Sequence, residues 1–251
     1  MLKILGVITA RGGSKGIPGK NIKSLLGKPL IVYTIEAAKA SGVFAPAVGG
    51  ASRLILSTDD PSIAEVAKKY SCEVPFMRPK IEELAGDKAT HLEVMKHAIS
   101  WLKDNENYYP DYVMILQPTS PLRQAFHIKE AAELIGKTGV DSVLSVAEVP
   151  ENFNSGKTMK ISDGGNLKLL NGNPVYKRVA RRQDLQKEYW SVGSIYLFKT
   201  DLLFGANPNF YGETTTPYII DKKYVADINV PEDWEEAERA LRELRTKNNE
   251  Q

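Results

Sequence analysis

Short, wholly apolar runs alternate along the chain with longer stretches in which apolar residues recur every three or four positions. Ile4–Thr9, Leu54–Ser57, Tyr112–Leu116 and Ser142–Val146 are of the first kind, the pattern of strands buried on both faces. Pro29–Ser41 carries Leu30, Ile31, Ile35 and Ala38 at helical spacing and stops at Gly42, which predicts a first helix. Pro61–Tyr70 predicts a second, opened by a proline in its first turn. Thr90 and Glu93 make a capping-box pattern ahead of a stripe through Met95, Ile99 and Leu102, and Phe126–Lys137 predicts another helix. Strands and helices repeated in this order imply an α/β fold, a mixed and mostly parallel sheet sandwiched by helices.

The texture changes near Glu148. Lys157–Ile161 and Leu167–Leu170 flank Asp163-Gly164-Gly165, a hairpin signal. Val192–Phe198 reads as a further strand, Tyr224–Asn229 as a return to the main sheet, and Pro231–Arg245 as a final amphipathic helix. The expected division is a main domain of residues 1–147 and 191–251, interrupted by a β-rich lobe at 148–190. Val43–Ser52 reads as a flexible surface loop. Neither internal repeats nor low-complexity tracts are present.

Charge changes this picture locally rather than globally. A net charge of +2 over 251 residues does not call for a nucleic-acid partner. Its distribution matters more: Met1 through Ile35 contains no Asp or Glu, yet carries Lys3, Arg11, Lys15, Lys20, Lys23 and Lys28. A positive field of that kind suits an anionic ligand. The single cysteine, Cys72, excludes an intrachain disulfide and agrees with a reducing compartment. The opening apolar run is too short for a signal peptide or a membrane span, so a cytoplasmic location without a membrane partner is expected.

The candidate chemistry sits directly after the first predicted strand, in Thr9-Ala10-Arg11-Gly12-Gly13-Ser14-Lys15-Gly16-Ile17-Pro18-Gly19-Lys20-Asn21. Open α/β sheets bind ligands at this carboxyl edge. The loop's four glycines let backbone N–H groups approach phosphate oxygens, and Arg11, Lys15 and Lys20 supply positive charge. The mononucleotide phosphate loop does not fit, because Lys20 is followed by Asn21 and position 14 is Ser; the G-x-G-x-x-G dinucleotide fingerprint is also absent. The bland alternative is a glycine-rich surface turn with solvated lysines. Two further sites stand out. Gln117 ends a strand ahead of two prolines, where a buried amide needs partners. Asp227 and Asn229, two apart on a predicted strand, would offer oxygen ligands on one face to Mg²⁺, or else cap the helix after Pro231. His91, His97 and His127 show no metal spacing and read as structural, with a possible ligand contact at His91 alone.

The string Ala10 to Asn21 resembles the signature of the acylneuraminate cytidylyltransferases. Further matches follow in the same order: Ser57-Thr58-Asp59, Arg78-Pro79, Leu84-Ala85-Gly86-Asp87, Leu116-Gln117-Pro118-Thr119-Ser120-Pro121-Leu122-Arg123, Arg182-Gln183, Gly193 with Tyr196, and Asp227-Ile228-Asn229. The resemblance implies a nucleotide-diphospho-sugar transferase fold and an enzyme that joins CTP to an acidic 2-keto sugar, releasing pyrophosphate. By that resemblance Arg11, Lys15 and Lys20 are the catalytic cations. Ala10, Gly12, Gly13, Ser14, Asn21, Arg78, Asp87, Thr90 and His91 line the nucleotide, while Gln117, Arg182 and Tyr196 meet the sugar. Asp227, with Asn229, holds Mg²⁺ or Mn²⁺. The lobe builds a homodimer and closes the partner's sugar site. This sequence departs from the family where Asn229 replaces Asp, where Val192 precedes Gly193 in place of Asn, and where Trp190 stands for the Arg of one branch. A GTP-dependent enzyme acting on an amino-hexose phosphate and a non-catalytic nucleotide-binding subunit are the alternatives.

Overall fold

A computed structural model describes residues 2–44 and 52–249, so most of the loop expected at Val43–Ser52 lies outside the described residues. In chain order the elements are β1 (Ile4–Thr9), β2 (Ser24–Leu25), β3 (Lys28–Pro29), α1 (Leu30–Ala40), β4 (Arg53–Ser57), α2 (Pro61–Lys69), α3 (Glu82–Ala85) and α4 (His91–Glu106). There follow β5 (Tyr112–Leu116), α5 (Ala125–Thr138), β6 (Ser142–Glu148), β7 (Met159–Ile161), β8 (Leu167–Leu169), β9 (Tyr189–Lys199), β10 (Thr215–Ile219) and α6 (Pro231–Asn249).

Six strands form one sheet in the order β10-β6-β9-β5-β1-β4. β1 pairs in parallel with β4 and β5, and β10 in parallel with β6, whereas β9 runs antiparallel between β5 and β6. The sheet is therefore mixed and mostly parallel, with helices on both faces.

Strand alternation explains the two-sided burial. In β1, Ile4 and Ile8 face a core shared with α1, α2 and α5, while Leu5 and Val7 face one built on α4. In β5, Tyr112, Met114 and Leu116 take the first side, and Val113 and Ile115 the second. A third, smaller cluster packs Trp234, Ala237 and Leu241 of α6 against Ile17, Leu25, Leu30, Leu122 and Ile228. This cluster seats the glycine-rich loop on the C-terminal helix.

One expectation requires correction. Tyr224–Asn229 is not a strand: a 3-10 turn at Lys222–Tyr224 is followed by irregular backbone, and Ile228 N–H donates to the Thr119 carbonyl (3.0 Å). Ile228 and its neighbours Tyr224 and Ala226 pack sideways against α6 rather than into a ladder. The sheet edge is instead β10, TTPYI, whose Pro217 is tolerated because an edge strand need not donate on both sides.

Between β6 and β9 the chain leaves the sheet. Residues 149–188 hold the β7–β8 antiparallel hairpin and several 3-10 turns. Leu169 is the one fully buried large hydrophobic residue described there, while Phe153, Ile161, Leu167, Leu170 and Tyr176 are exposed.

Candidate active site

The glycine-rich loop begins where β1 ends, and its entry is bracketed by buried polar groups. Ala10 N–H donates to the Ser57 carbonyl (3.2 Å), and Gly12 N–H donates to Asp59 Oδ1 (3.1 Å). Arg78, only 5% exposed, lies 3.6 Å from Asp59 Oδ1 and donates to the Ala10 carbonyl (3.3 Å). Burial lowers the pKa of this guanidinium and Asp59 opposes the shift. Such a pairing offsets the cost of a buried charge. Among the described residues, Arg78 Nε finds no acceptor. Asn21, also buried, donates from Nδ2 to the Arg11 carbonyl (3.0 Å), and Ser14 N–H donates to the Gly12 carbonyl (3.0 Å). Gly12 and Gly16 are glycines for want of space. A Cβ on the first would meet the Asp60 side chain, and one on the second the Asn229 carbonyl oxygen.

Arg11 and Lys15 converge on one carboxylate. Arg11 donates to the Gly86 carbonyl (2.5 Å) and lies 3.3 Å from Asp87, which Lys15 also engages. The Lys15 ammonium, hydrogen-bonded to it, is the main group holding the Asp87 carboxyl below its usual pKa. Asp87 is exposed, so the pair is a solvent-screened contact that an incoming polyanion can displace. Lys20 behaves differently. Its Nζ donates to the Ile228 carbonyl (2.7 Å), and burial lowers its pKa while Asp227 opposes the shift. Lys20 thus joins the loop to the 227–229 segment.

Asp227 and Asn229 do meet, although no strand aligns them: Asn229 Nδ2 donates to Asp227 Oδ2 (2.8 Å). Asp233 is committed elsewhere, capping α6 through the N–H groups of Asn229 (2.7 Å) and Val230 (2.9 Å). Among the described residues no group of three or more His, Cys, Asp or Glu side chains could hold a metal by itself. What the segment offers is one carboxylate and one amide oxygen beside the loop.

Gln117 follows β5, the neighbour of β1, and its side chain lies between two elements. Its Nε2 is 3.3 Å from His91 Nε2, and a Cβ on Gly193 of β9 would come within 2.9 Å of its Oε1. His91 Nε2 also lies 3.3 Å from Thr9 Oγ1. Thr90 caps α4, its hydroxyl accepting from Glu93 N–H (3.3 Å). Tyr196 lies on β9, its hydroxyl 3.3 Å from Ser191 Oγ. Arg182 is not brought to Gln117 of its own chain: its side chain is 84% exposed and sits 3.4 Å from Glu151.

Residue-by-residue reading of the sequence missed two supports. Arg123, 3% exposed with no carboxylate beside it, donates to the Gln117 carbonyl (3.1 and 3.0 Å), the Ser194 carbonyl (2.8 Å) and Thr34 Oγ1 (2.5 Å). Burial pushes its pKa down to about 9. Asp59 likewise shapes the loop without being a site candidate. Their signal was position, since each follows closely on a strand adjoining β1.

The family model described as cytidylyltransferase matches residues 5–248. The chain is 33% identical to the N-acylneuraminate cytidylyltransferase of Streptococcus agalactiae serotype III, over 93% of this chain and 52% of that protein. It thus spans about half the length of that relative. It is also 33% identical to the CMP-N,N'-diacetyllegionaminic acid synthase of Legionella pneumophila, over 96% of this chain and 97% of the other. Among solved structures, CMP:2-keto-3-deoxy-manno-octonic acid synthetase complexed with CTP superposes with a TM-score of 0.64 at 15% identity. The match covers 96% of this chain and 99% of that one, a likeness of fold.

Proposed function

This chain belongs to the cytidylyltransferase family, and on that premise we propose that it joins CTP to an acidic 2-keto sugar of the sialic-acid type, giving a CMP-sugar and pyrophosphate. The observation that carries the reading is the pairing of Arg11 and Lys15 on exposed Asp87 at the carboxyl edge of β1. Two loop cations rest on a weak counter-ion that a triphosphate would replace. The anomeric hydroxyl of the sugar attacks the α-phosphorus, and the bond to the bridging oxygen of pyrophosphate breaks. Nucleotidyl transfer asks the protein chiefly for position and charge. The backbone N–H of Gly13 and the side chains of Arg11 and Lys15 supply both, while the Gly12 N–H stays with Asp59. Lys20 adds charge while fixing the 227–229 segment against the loop.

The donor set fits Mg²⁺ or Mn²⁺ bound mainly by phosphate oxygens. Such ions take oxygen ligands from one or two carboxylates plus substrate, and Asp227 with the Asn229 amide provides that number. When bound, the ion would neutralise charge on the triphosphate and the departing pyrophosphate. Gln117 and Tyr196 face the sugar. Arg182, distant from its own Gln117 and exposed, reads the sugar carboxylate of a second copy in a homodimer built through the 148–190 lobe. A reducing, cytoplasmic setting agrees with the buried free thiol of Cys72. Among the described residues, no helix is long and apolar enough to cross a membrane.

The test is pyrophosphate release from CTP, with GTP, ATP and UTP as controls. The acceptors are N-acetylneuraminic acid, N,N'-diacetyllegionaminic acid, 2-keto-3-deoxy-manno-octonic acid and glucosamine 1-phosphate. Turnover confined to CTP, a divalent cation and a keto acid is expected. Equal turnover with GTP and the hexose phosphate would sink the reading, and no release under any condition would favour a non-catalytic subunit.

A further inference from the structure

The side chain of Gln117 is held from one direction by His91, which the family resemblance assigns to the nucleotide but whose ring nitrogen here meets Gln117 and Thr9. We propose that His91 is a positioning residue for sugar recognition: its Nε2, acting as an acceptor, holds Gln117 Nε2 and turns Gln117 Oε1 toward Gly193, fixing which end of the amide the acidic sugar meets. This inference rests on the sugar-facing role of Gln117 proposed above.

Donor and acceptor roles decide the orientation of the amide. An amide nitrogen only donates, so its 3.3 Å approach to His91 Nε2 needs a lone pair there, which the Nδ1-protonated neutral imidazole provides. A proton on Nε2 would set donor against donor, and a half-turn of the amide would then present NH₂ rather than oxygen toward Gly193. The backbone approaches closely at that point, because Gly193 has φ of 70° and a Cβ there would press on Oε1. The Thr9 hydroxyl, 3.3 Å from the same Nε2, links this arrangement to the last residue of β1, where the phosphate-binding loop starts.

The surroundings keep the imidazole neutral. Burial lowers its pKa and the Arg78 guanidinium adds to the effect. Of the other charged groups nearby in sequence, Lys88 is exposed, Asp87 is engaged by Arg11 and Lys15, and Glu93 by Lys96. Thr9 on β1 and Gln117 after β5 are uncharged. Burial defers protonation to pH values below the ordinary histidine value of 6.5, and there it would reverse the amide.

The experiment compares KM for N,N'-diacetyllegionaminic acid, or for whichever acid of the panel turns over fastest, with KM for CTP. The variants are His91→Ala, His91→Gln, Gln117→Ala and the His91→Ala/Gln117→Ala double. His91→Ala is expected to raise sugar KM roughly tenfold, the scale of one buried hydrogen bond, with CTP KM moving less than about twofold. His91→Gln, whose side-chain oxygen can accept from Gln117, should recover most of the loss. In the Gln117→Ala background His91→Ala should add less than about twofold. Wild-type sugar KM should rise in acid, and that rise should vanish in His91→Gln. Equal rises in both KM values, additive effects in the double variant, or identical pH profiles would overturn the proposal. If His91→Ala fails to fold, the His91→Gln profile decides alone. If Gln117→Ala leaves sugar KM unchanged, the sugar role of Gln117 fails and this inference goes with it.

Discussion

The glycine-rich loop and the 148–190 lobe are both irregular, yet their supports differ completely. Three hydrogen bonds hold the loop in place: Gly12 to Asp59, Asn21 to the Arg11 carbonyl, Lys20 to Ile228. The lobe has one fully buried large hydrophobic residue, Leu169, and leaves Phe153, Ile161 and Tyr176 at 69%, 74% and 83% exposure. Apolar residues exposed this densely in about 40 residues signal a surface that takes its cover from outside. The loop is finished by its own chain. The lobe, on the reading above, is finished by a second copy.

Three variants would break or sharpen that contrast. The largest effect belongs to Arg11→Ala, which should lower turnover by about two to three orders of magnitude, the scale of one lost transition-state donor. Its melting temperature should stay within a few degrees, because its contacts are with exposed Asp87 and one carbonyl. Retention of more than about a tenth of the rate would place the charge that matters elsewhere. Next comes Gly16→Ala. The added methyl would strike the Asn229 carbonyl and part the loop from the 227–229 segment, a displacement of the kind that costs up to about a hundredfold. Wild-type kinetics would mean that this contact is incidental. Tyr176→Arg should do the reverse, converting a dimer to a monomer by light scattering while the far-ultraviolet spectrum stays unchanged. A monomeric wild-type protein at assay concentration would end the proposal that copies share a site.

The smallest effect concerns the body alone. His127 is buried against Phe126, Tyr218 and Tyr224, and burial brings its pKa down to about 4. Between that value and the ordinary 6.5 the unfolded chain takes up a proton that the folded protein refuses. Stability should therefore fall as pH drops from 6.5 toward 4. His127→Gln should flatten that slope in urea melts, and an unchanged slope would assign the acid sensitivity to other groups.

How legible the molecule was from its residues follows from the range of the forces involved. β1 and β5 could be read because each is apolar throughout, a pattern that needs no knowledge of neighbours. Tyr224–Asn229 misled for the same reason: its apolar residues serve a side-on contact with α6 that resembles a strand pattern locally. β10 was hidden by its threonines and Pro217, which only an edge position permits. The loop announced itself through four glycines and three cations, whereas the bracket of Asp59 and Arg78 joins residues 19 apart and could not be seen as a pair. His91 and Gln117 are separated by a whole helix and strand, so their contact exists only once α4 has docked.

One contact sets a timetable for the molecule. Lys20 meets the carbonyl of Ile228 across 208 positions, and Gly16 meets Asn229 over a similar span. Contacts of such sequence separation form late, after the loop-closure entropy has been met by local structure. During synthesis at about 5–20 residues per second, β1 and its loop leave the ribosome many seconds before their clasp exists. A nascent chain stalled ahead of Asp227 would carry all six strands of the sheet with an unfastened glycine-rich loop. Nucleotide affinity should then appear abruptly as residues 227–229 emerge, so that competence to bind reports the arrival of that segment.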